Sequence, residues 1–372
     1  MHDDTAQDRE ETPLDAAPPL GLLEYLDLTE GRPVRDKRDT AFASALLAER
    51  LGYSRVWLPE HHASGVPSTN PLLLAAVLGS HTRRVRVGTA VTLSRIRDPH
   101  LTAEDVAAAA HFCPDRLDVG FGRGDVSGGA AEDLAHLRER GEDVGAAIDA
   151  TVALLREGSE WVDPVDTGFQ LWSHGAGNRS AEIAARTGTH YCHALFFNTD
   201  VDACVSTLRA YRAARPGGRT AVALALVAND DPATARADSL RQGVRVNCAG
   251  TADQCAEAVH RVLAITGADE AVITELSSDP EDHLRAVEEV FAAVRRRAAS
   301  PAGAAAPPVG TVSAGNAVPT GDTARSASTA PTGNTAHADR AVSAGNAVPT
   351  GGTAHADGPV PSATAATGGG AR

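Results

Sequence analysis

The sequence has few cysteines, and none of them are paired in a recognisable motif. Its five cysteines form no CxxC pair and are scattered at Cys113, Cys192, Cys204, Cys248 and Cys255. This spacing excludes a disulfide framework and a cysteine-based zinc site, and it is typical of proteins in a reducing compartment.

The sequence also lacks a surplus of positive charge and a long apolar run. Its 372 residues include 34 Lys and Arg against 48 Asp and Glu, which gives a net charge of −14. Because nucleic acids and anionic membranes bind basic surfaces, this charge argues against both as partners. No apolar run reaches the ~18–20 residues of a membrane span, and residues 1–17 are acidic where a signal peptide is basic and then apolar. We therefore expect a soluble, cytoplasmic protein.

Large apolar residues are missing from the end of the chain. Residues 301–372 hold 12 Gly and 8 Pro and no Leu, Ile, Phe, Tyr or Trp, and a ten-residue repeat at 312–321 recurs at 342–351. Such a segment buries too little apolar surface to offset the entropy lost on ordering. We predict a disordered acidic N-terminus over residues 1–19, one folded domain over residues 20–297 and a disordered low-complexity tail over residues 298–372.

Within the predicted domain, short apolar segments alternate with amphipathic segments eight times. The predicted strands are residues 20–26, 55–58, 85–91, 116–121, 170–173, 191–196, 220–227 and 270–274. Apolar residues at helical spacing predict helices over residues 39–51, 71–81, 100–112, 131–157, 180–187, 201–214, 232–242, 251–266 and 280–297. Eight strand–helix repeats indicate an α/β protein with a (β/α)8 TIM barrel. The same alternation also permits an open, doubly wound sheet.

Two adjacent histidines follow the second predicted strand, in the segment Glu60-His61-His62. Successive side chains of an extended segment point to opposite sides, so one of the two faces a central pocket. A histidine with a pKa near neutrality is suited to proton transfer at such a place. A hydrogen-bonded structural histidine and a metal ligand are the alternatives, although no second HxH or matched Asp cluster follows the other predicted strands.

Two glycine-rich segments follow the fourth and fifth predicted strands. In Gly120-Phe-Gly-Arg-Gly124 the glycines allow close approach of a ligand, and Arg123 is able to hold a phosphate bidentately. The dinucleotide pattern GxGxxG is not matched. Gly175-Ala-Gly-Asn-Arg-Ser180 leads into a helix, whose free N–H groups and Ser180 hydroxyl suit an anion. Helix capping by Asn178 or Ser180 is the alternative.

Several segments, in this order along the chain, resemble the bacterial luciferase-like, flavin-dependent monooxygenase family. The resemblance covers about residues 20–297 and rests on Trp57–His62, Arg86–Val91, Asp115–Gly124, Ala176–Gly188, Gly250–Gln254 and Thr266–Glu270. It favours the barrel over the open sheet, and it implies a reduced flavin bound at the C-terminal ends of the strands.

The resemblance also implies roles for individual residues. His61 takes the position of a catalytic histidine near the reactive edge of the flavin. The implied cofactor-binding positions are Ala90, Val91, Gly122, Arg123, Ala176, Gly177 and Ser180. The first two are joined by a non-prolyl cis peptide beneath the flavin ring, the next two form a turn whose arginine contacts the flavin phosphate, and the last three add phosphate contacts. No metal is implied.

The activity implied by the resemblance is oxidation of a small organic substrate with reduced FMN and O2. No nicotinamide fingerprint is visible, so we expect a separate flavin reductase to deliver reduced FMN. A homodimer formed through barrel helices is expected by the same resemblance.

One departure from the family leaves other functions open. The family carries a long insertion after the seventh strand, part of it a mobile lid, but only about twenty residues separate Val227 from Gly250 here. A short lid puts exclusion of water in doubt. The alternatives are an F420-dependent oxidoreductase that transfers hydride, a non-catalytic flavin-binding partner subunit and, last, a metal hydrolase built on His61 and His62.

Overall fold

Ten strands, all paired in parallel, form the centre of the molecule in the computed structural model. The structure describes residues 17–25, 31–62, 65–124 and 143–299. The strands there are β1 (Leu20–Leu23), β2 (Arg55–Leu58), β3 (Arg86–Thr89), β4 (Thr92–Leu93), β5 (Leu117–Gly122), β6 (Phe169–Gly175), β7 (His190–Ala194), β8 (Thr220–Ala228), β9 (Cys248–Gly250) and β10 (Glu270–Glu275).

Eight of these strands close into a barrel. The order around it is β1, β2, β3, β5, β6, β7, β8 and β10, and β10 pairs on its other side with β1. Closure is fixed by the register of β10, in which Ala271 lies opposite Leu20 of β1 and Val222 of β8. The predicted (β/α)8 barrel is therefore confirmed, and the open sheet is excluded because an open sheet leaves two unpaired edges.

Helices follow the barrel strands in the order that the periodicity predicted. They are α1 (Val34–Leu51), α2 (Pro71–His81), α3 (Pro99–Ala110), α4 (Val144–Glu157), α5 (Asn178–Thr187), α6 (Val201–Ala214), α7 (Pro232–Ser239), α8 (Ala252–Thr266) and α9 (Pro280–Ala299). α1 begins five residues before its predicted start because its first turn is mostly charged and shows no apolar period. The part of the predicted fourth helix before residue 143 lies outside the described residues.

The third predicted strand is broken in two. It ends at Thr89, the peptide bond between Ala90 and Val91 is cis, as expected for this position, and Thr92–Leu93 forms β4. β4 pairs with Phe121 and Gly122 at the end of β5, and not with β2. The chain therefore turns across the end of the barrel, which brings residues 90–95 to its C-terminal face.

The chain divides into two units, Met1–Val309 and Gly310–Arg372. The second unit and both predicted disordered ends, apart from residues 17–19, 298 and 299, lie outside the described residues. α9 continues to Ala299, two residues past the predicted domain boundary. No helix within the described ranges combines the length and the hydropathy needed to cross a bilayer.

Candidate functional site

A cavity of about 820 Å³ opens at the C-terminal ends of β2, β3, β5, β6 and β7. In a (β/α)8 barrel this end carries the functional groups, because the loops that follow the strands converge there. All eight sequence-predicted site residues line this cavity: His61, Ala90, Val91, Gly122, Arg123, Ala176, Gly177 and Ser180. Closure of the barrel thus brings together residues that are as many as 119 positions apart, from His61 to Ser180.

His61 lies directly after β2, and its ring contacts the ring of Tyr25 edge-on at 5.1 Å between centroids. Its Nδ1 atom is buried and has no hydrogen-bond partner among the described residues. Burial, helped by the neighbouring His62, lowers the pKa of His61 to about 4. The expectation of a pKa near neutrality is therefore not met, because the cavity wall desolvates the ring. At physiological pH the ring is neutral.

His62 points away from the cavity, as the alternation of an extended segment predicts. Its Nε2 atom lies 2.7 Å from Oε1 of Glu60. Glu60 also accepts hydrogen bonds from the Leu93 N–H at 2.9 Å and from Arg97 Nε at 2.9 Å. Burial raises the pKa of Glu60, but the hydrogen bonds from His62 and Arg97 outweigh it and leave the pKa below its usual value. Glu60 and His62 thus position the chain on either side of His61.

A metal centre finds no support in this arrangement. Within the ranges that the structure describes, no group of three His, Cys, Asp or Glu side chains is placed to hold a metal ion. His61 and His62 point to opposite sides, so they do not share a ligand. The metal-hydrolase alternative therefore lacks a ligand set in this part of the chain.

The turn after β5 requires its glycines. A Cβ atom on Gly122 would lie 2.7 Å from Cγ2 of Val91, and Gly124 has a φ of +56° and leaves no room beside Leu93. These contacts hold the turn against the Ala90–Val91 segment. Arg123, between the two glycines, is exposed and lines the cavity. Among the described residues it has no ion-pair partner, so its guanidinium is available to a ligand.

The segment after β6 presents an uncapped helix N-terminus to the cavity. Gly177 is the N-cap residue of α5, and no side chain caps the helix. Ser180 Oγ donates to the Gly177 carbonyl at 2.7 Å, and Asn178 Oδ1 accepts from Thr207 at 2.8 Å. The predicted alternative, capping by Asn178 or Ser180, is therefore wrong. The first N–H groups of α5 have no partner within the helix, which suits them to an anion.

Two further residues shape the site, and neither of them is among the sequence-predicted site residues. Tyr191 of β7 is buried beneath the glycine-rich segment, and its hydroxyl lies 3.2 Å from Ser180 Oγ and 3.4 Å from the Gly175 carbonyl. His174 of β6 contacts Trp57 edge-on at 4.8 Å, and its buried Nε2 has no partner among the described residues. Burial, and then the charge of Arg55, lower the pKa of His174 to about 3. Neither residue belongs to a glycine motif or a charged cluster, so no local signal marks it.

The residues that line the cavity fit a flat aromatic cofactor that carries a phosphate. The uncapped end of α5 and Arg123 offer donors for the phosphate, and the Ser180 hydroxyl becomes a further donor if it turns from the Gly177 carbonyl. Ala90, Val91 and the glycine turn give an uncharged wall, and two buried imidazole nitrogens lack partners. The fold and the cavity therefore define a (β/α)8-barrel protein whose cavity, at the C-terminal ends of its strands, fits a phosphorylated cofactor.

The chain also matches a known protein family over most of its length. The sequence model of the luciferase-like monooxygenase family matches residues 27–288. The chain therefore belongs to the luciferase-like monooxygenase family, as its motifs indicated.

Individual members of the family are distant from this chain. A luciferase-like monooxygenase of Escherichia coli (strain K12) is 26% identical over 195 residues, which is 49% of this chain and 57% of that protein. The chain thus spans little more than half the length of the curated relatives it matches.

Solved structures share the fold at low sequence identity. The oxygenating constituent of 3,6-diketocamphane monooxygenase from Pseudomonas putida, in complex with FMN, superposes with a TM-score of 0.60 at 15% identity and covers 75% of this chain and 98% of that one. An F420-dependent secondary alcohol dehydrogenase gives a TM-score of 0.56 at 15% identity, and covers 75% and 99%. Flavin-type cofactors thus occur in structures with this fold, and the likeness alone does not choose between FMN and F420.

Proposed function

We propose that the chain is a flavin-dependent monooxygenase that uses reduced FMN and O2 to oxidise a small organic substrate. The observation that carries this proposal is the cavity in which a phosphate cradle and the neutral His61 lie on loops of the same barrel face. Reduced FMN, when bound, supplies the electrons that activate O2. The protein supplies binding, orientation, proton transfer and exclusion of water.

The phosphate of FMN would be held between the segments that follow β5 and β6. Arg123 is able to donate two parallel hydrogen bonds to it, which is the strongest pairing available to a phosphate oxygen. Main-chain N–H groups of Ala176 and Gly177 would add donors, and Ser180 would do so once its hydroxyl turns from the Gly177 carbonyl to the phosphate. Because Ala176 and Gly177 carry no polar side chain, the main chain and Arg123 would carry most of the phosphate binding.

His61 would handle protons in the reaction. Its pKa of about 4 keeps the ring neutral at physiological pH, so the ring would accept or donate a hydrogen bond at Nδ1, according to its tautomer, instead of holding a proton as a cation. This atom is buried and unpaired among the described residues. A buried polar atom without a partner costs about 1–3 kcal/mol, so a bound ligand that supplies a partner recovers that free energy.

Exclusion of water depends on a short connection. After β8, residues 229–247 contain one helix, α7, of 8 residues before β9 begins. Phe197, at the rim of the cavity, has 62% of its surface exposed. The described residues therefore offer little cover for the cavity mouth, and we propose that substrate or a partner completes the closure.

The same short connection favours one alternative. Hydride transfer with F420 does not depend on a site closed to water as strongly as oxygenation does. An F420-dependent oxidoreductase is therefore the second candidate. A non-catalytic flavin-binding subunit is disfavoured by the buried, unpaired His61, which a purely structural role does not require.

Two protein partners belong to the proposal. A separate flavin reductase would supply reduced FMN, and a second copy of the chain would pack on the faces of α2 and α3. Leu73, Val77 and Leu101 on these helices are 61%, 40% and 63% exposed. Apolar side chains grouped in this way are typical of an interface. The mass of the full chain in solution, measured by light scattering, tests the homodimer.

An anaerobic titration of the full chain with reduced FMN tests the proposed function, with F420H2 and reduced riboflavin as comparisons. We expect reduced FMN to bind more tightly than riboflavin, because riboflavin lacks the phosphate. Tighter binding of F420H2 than of FMN would favour the second candidate. Binding of neither cofactor would contradict both.

Replacement of His61 separates catalysis from binding. We expect His61→Ala to keep its affinity for reduced FMN and to lose coupled oxidation, so that O2 consumed on mixing appears as hydrogen peroxide. The matched control is His62→Ala. It removes the histidine that points away from the cavity. We expect this variant to have a lower melting temperature and a peroxide yield close to that of the wild-type chain.

A further inference from the structure

The cavity carries uncompensated positive charge in a chain whose net charge is −14. Arg95, Arg123 and Arg179 line it, and within the part of the chain that the structure describes none of them has an ion-pair partner. The one carboxylate among the described lining residues is Glu60. It is already paired with Arg97 and His62. Three guanidinium groups therefore face the cavity without a counter-charge.

A cofactor phosphate accounts for two of these three charges. Arg123 follows β5, and Arg179 lies in the first turn of α5, so both belong to the segments that form the phosphate cradle. A phosphate monoester carries close to two negative charges at neutral pH, by analogy with phosphoserine. One arginine, Arg95, then remains without a counter-charge.

Arg95 lies on the His61 side of the cradle. It follows β4, in a segment held by two hydrogen bonds from main-chain N–H groups: Leu93 N donates to the Glu60 carboxylate at 2.9 Å, and Ser94 N donates to the Gly122 carbonyl at 3.1 Å. Arg95 is thereby placed between the loop that carries His61 and the turn that carries Arg123. Its Nε is buried and has no partner among the described residues.

Carboxylates lie within reach of the segment that carries Arg95, as the contacts of Arg97 show. Two residues further on, Arg97 binds Glu60 through Nε at 2.9 Å and approaches Asp105 at 3.6 Å. Arg97 uses the nearby carboxylates, and Arg95 points into the cavity. A partly buried guanidinium that lacks a partner is costly unless a ligand provides an anion.

We propose that Arg95 binds a carboxylate of the substrate, and that the enzyme therefore acts on acidic organic compounds. This inference rests on the proposed function, since the cofactor phosphate is taken to occupy Arg123 and Arg179. The apolar part of the substrate would contact Tyr25 and Phe196, which line the same cavity. His61 would then lie between the carboxylate and the aromatic wall.

Calorimetric titration with matched probes tests the proposal. The probes are arylalkanoic acids with two to five carbons in the chain and the corresponding primary amides, which keep the shape and remove the charge. On the FMN-saturated full chain we expect at least one acid to bind about tenfold or more tightly than its amide, the size expected of a charge-assisted hydrogen bond. Equal affinity of every acid and its amide would overturn the proposal.

Variants of Arg95 test whether this residue causes the preference for an acid over its amide. We expect Arg95→Gln to bind acid and amide equally, and Arg95→Lys to keep part of the preference, because it keeps the charge and loses the planar fork. Arg209→Met is the matched control, since Arg209 is an exposed arginine of α6 outside the cavity. A preference for acids that survives in Arg95→Gln would contradict the assignment.

Two outcomes separate this inference from the proposed function. If Arg95→Gln weakens binding of FMN but not of riboflavin, Arg95 binds the cofactor phosphate and the substrate assignment is wrong. If FMN does not bind to the wild-type chain, the proposed function fails. The comparison of acids and amides is then made on the flavin-free chain, where a preference lost in Arg95→Gln still supports an anion site at Arg95.

Discussion

The two ends of the barrel differ in whether their charged side chains have partners. At the N-terminal end Arg55 is 1% exposed, and its Nε lies 2.9 Å from Glu270 while its Nη1 donates to Asp118. Asp118 also accepts from Trp57 Nε1 at 3.0 Å and from Arg86 at 2.7 Å. At the C-terminal end, Arg95, Arg123 and Arg179 line the cavity without such partners in the described part of the chain.

This difference separates the end of the barrel that stabilises the fold from the end that is available to a ligand. A buried network in which every charge is paired joins strands that are not adjacent in the barrel, here β2, β5 and β10. A cavity in which charges and imidazole nitrogens lack partners leaves those partners to a ligand. Not every titratable group at the C-terminal end lacks a partner. His283 has two, since it lies 2.7 Å from Glu275 and 3.3 Å from Glu24.

The largest effect is expected where the paired network is broken. Asp118→Ala leaves the buried Arg55 with Glu270 as its remaining carboxylate, and removal of one partner from a buried pair costs about 3–5 kcal/mol. We expect this loss in the free energy of unfolding, measured by urea denaturation. Asp253→Ala is the control, since Asp253 and its partner Arg296 have side chains 81% and 64% exposed, and it should have little effect. Equal losses for the two variants would show that the paired network does not stabilise the fold.

An intermediate effect is expected at the unpaired end, and on binding instead of stability. Arg123→Met removes a phosphate donor that has no ion-pair partner among the described residues. We expect affinity for FMN to fall by about tenfold or more, with riboflavin affinity and the urea midpoint unchanged. A lower urea midpoint for Arg123→Met would erase the contrast between the two ends.

A third effect is expected in the pH dependence of stability. The pKa of His174 is about 3 in the folded chain and about 6.5 in an unfolded one, so below pH 6.5 the unfolded chain binds a proton that the folded chain refuses. Stability is therefore lost as the pH falls from about 6.5 toward 3, with a slope of up to about 1.4 kcal/mol per pH unit. We expect His174→Gln to reduce this slope in urea unfolding measured between pH 4 and 6.

The contribution of His283 to stability changes with pH in the opposite direction. Burial alone lowers its pKa, but the carboxylates of Glu24 and Glu275 outweigh burial and raise the pKa well above the usual value. Its contribution to stability is therefore complete below about pH 6.5 and is lost as the pH rises through the folded pKa. His283→Gln should flatten the alkaline side of the profile. An unchanged alkaline side would mean that His283 is not charged in the folded chain.

The sequence by itself determined the order of the elements and which residues line the candidate site. Apolar period and strand alternation are local properties, so they predicted eight strands within a few residues and placed His61 and His62 on opposite sides of the chain. The glycines at 122 and 124 marked the turn because the close approach to Val91 and the positive φ leave no room for a side chain.

Only the tertiary structure decided which charges are paired. Arg95 and Arg97 are two residues apart in the same segment, and nothing in their local sequence indicates that Arg97 binds Glu60, 37 positions away, while Arg95 faces the cavity. His174 likewise acquired its low pKa from burial and then from the charge of Arg55, which the barrel brings beside it. Pairing and desolvation depend on neighbours that are distant in sequence, so they are fixed when the barrel closes.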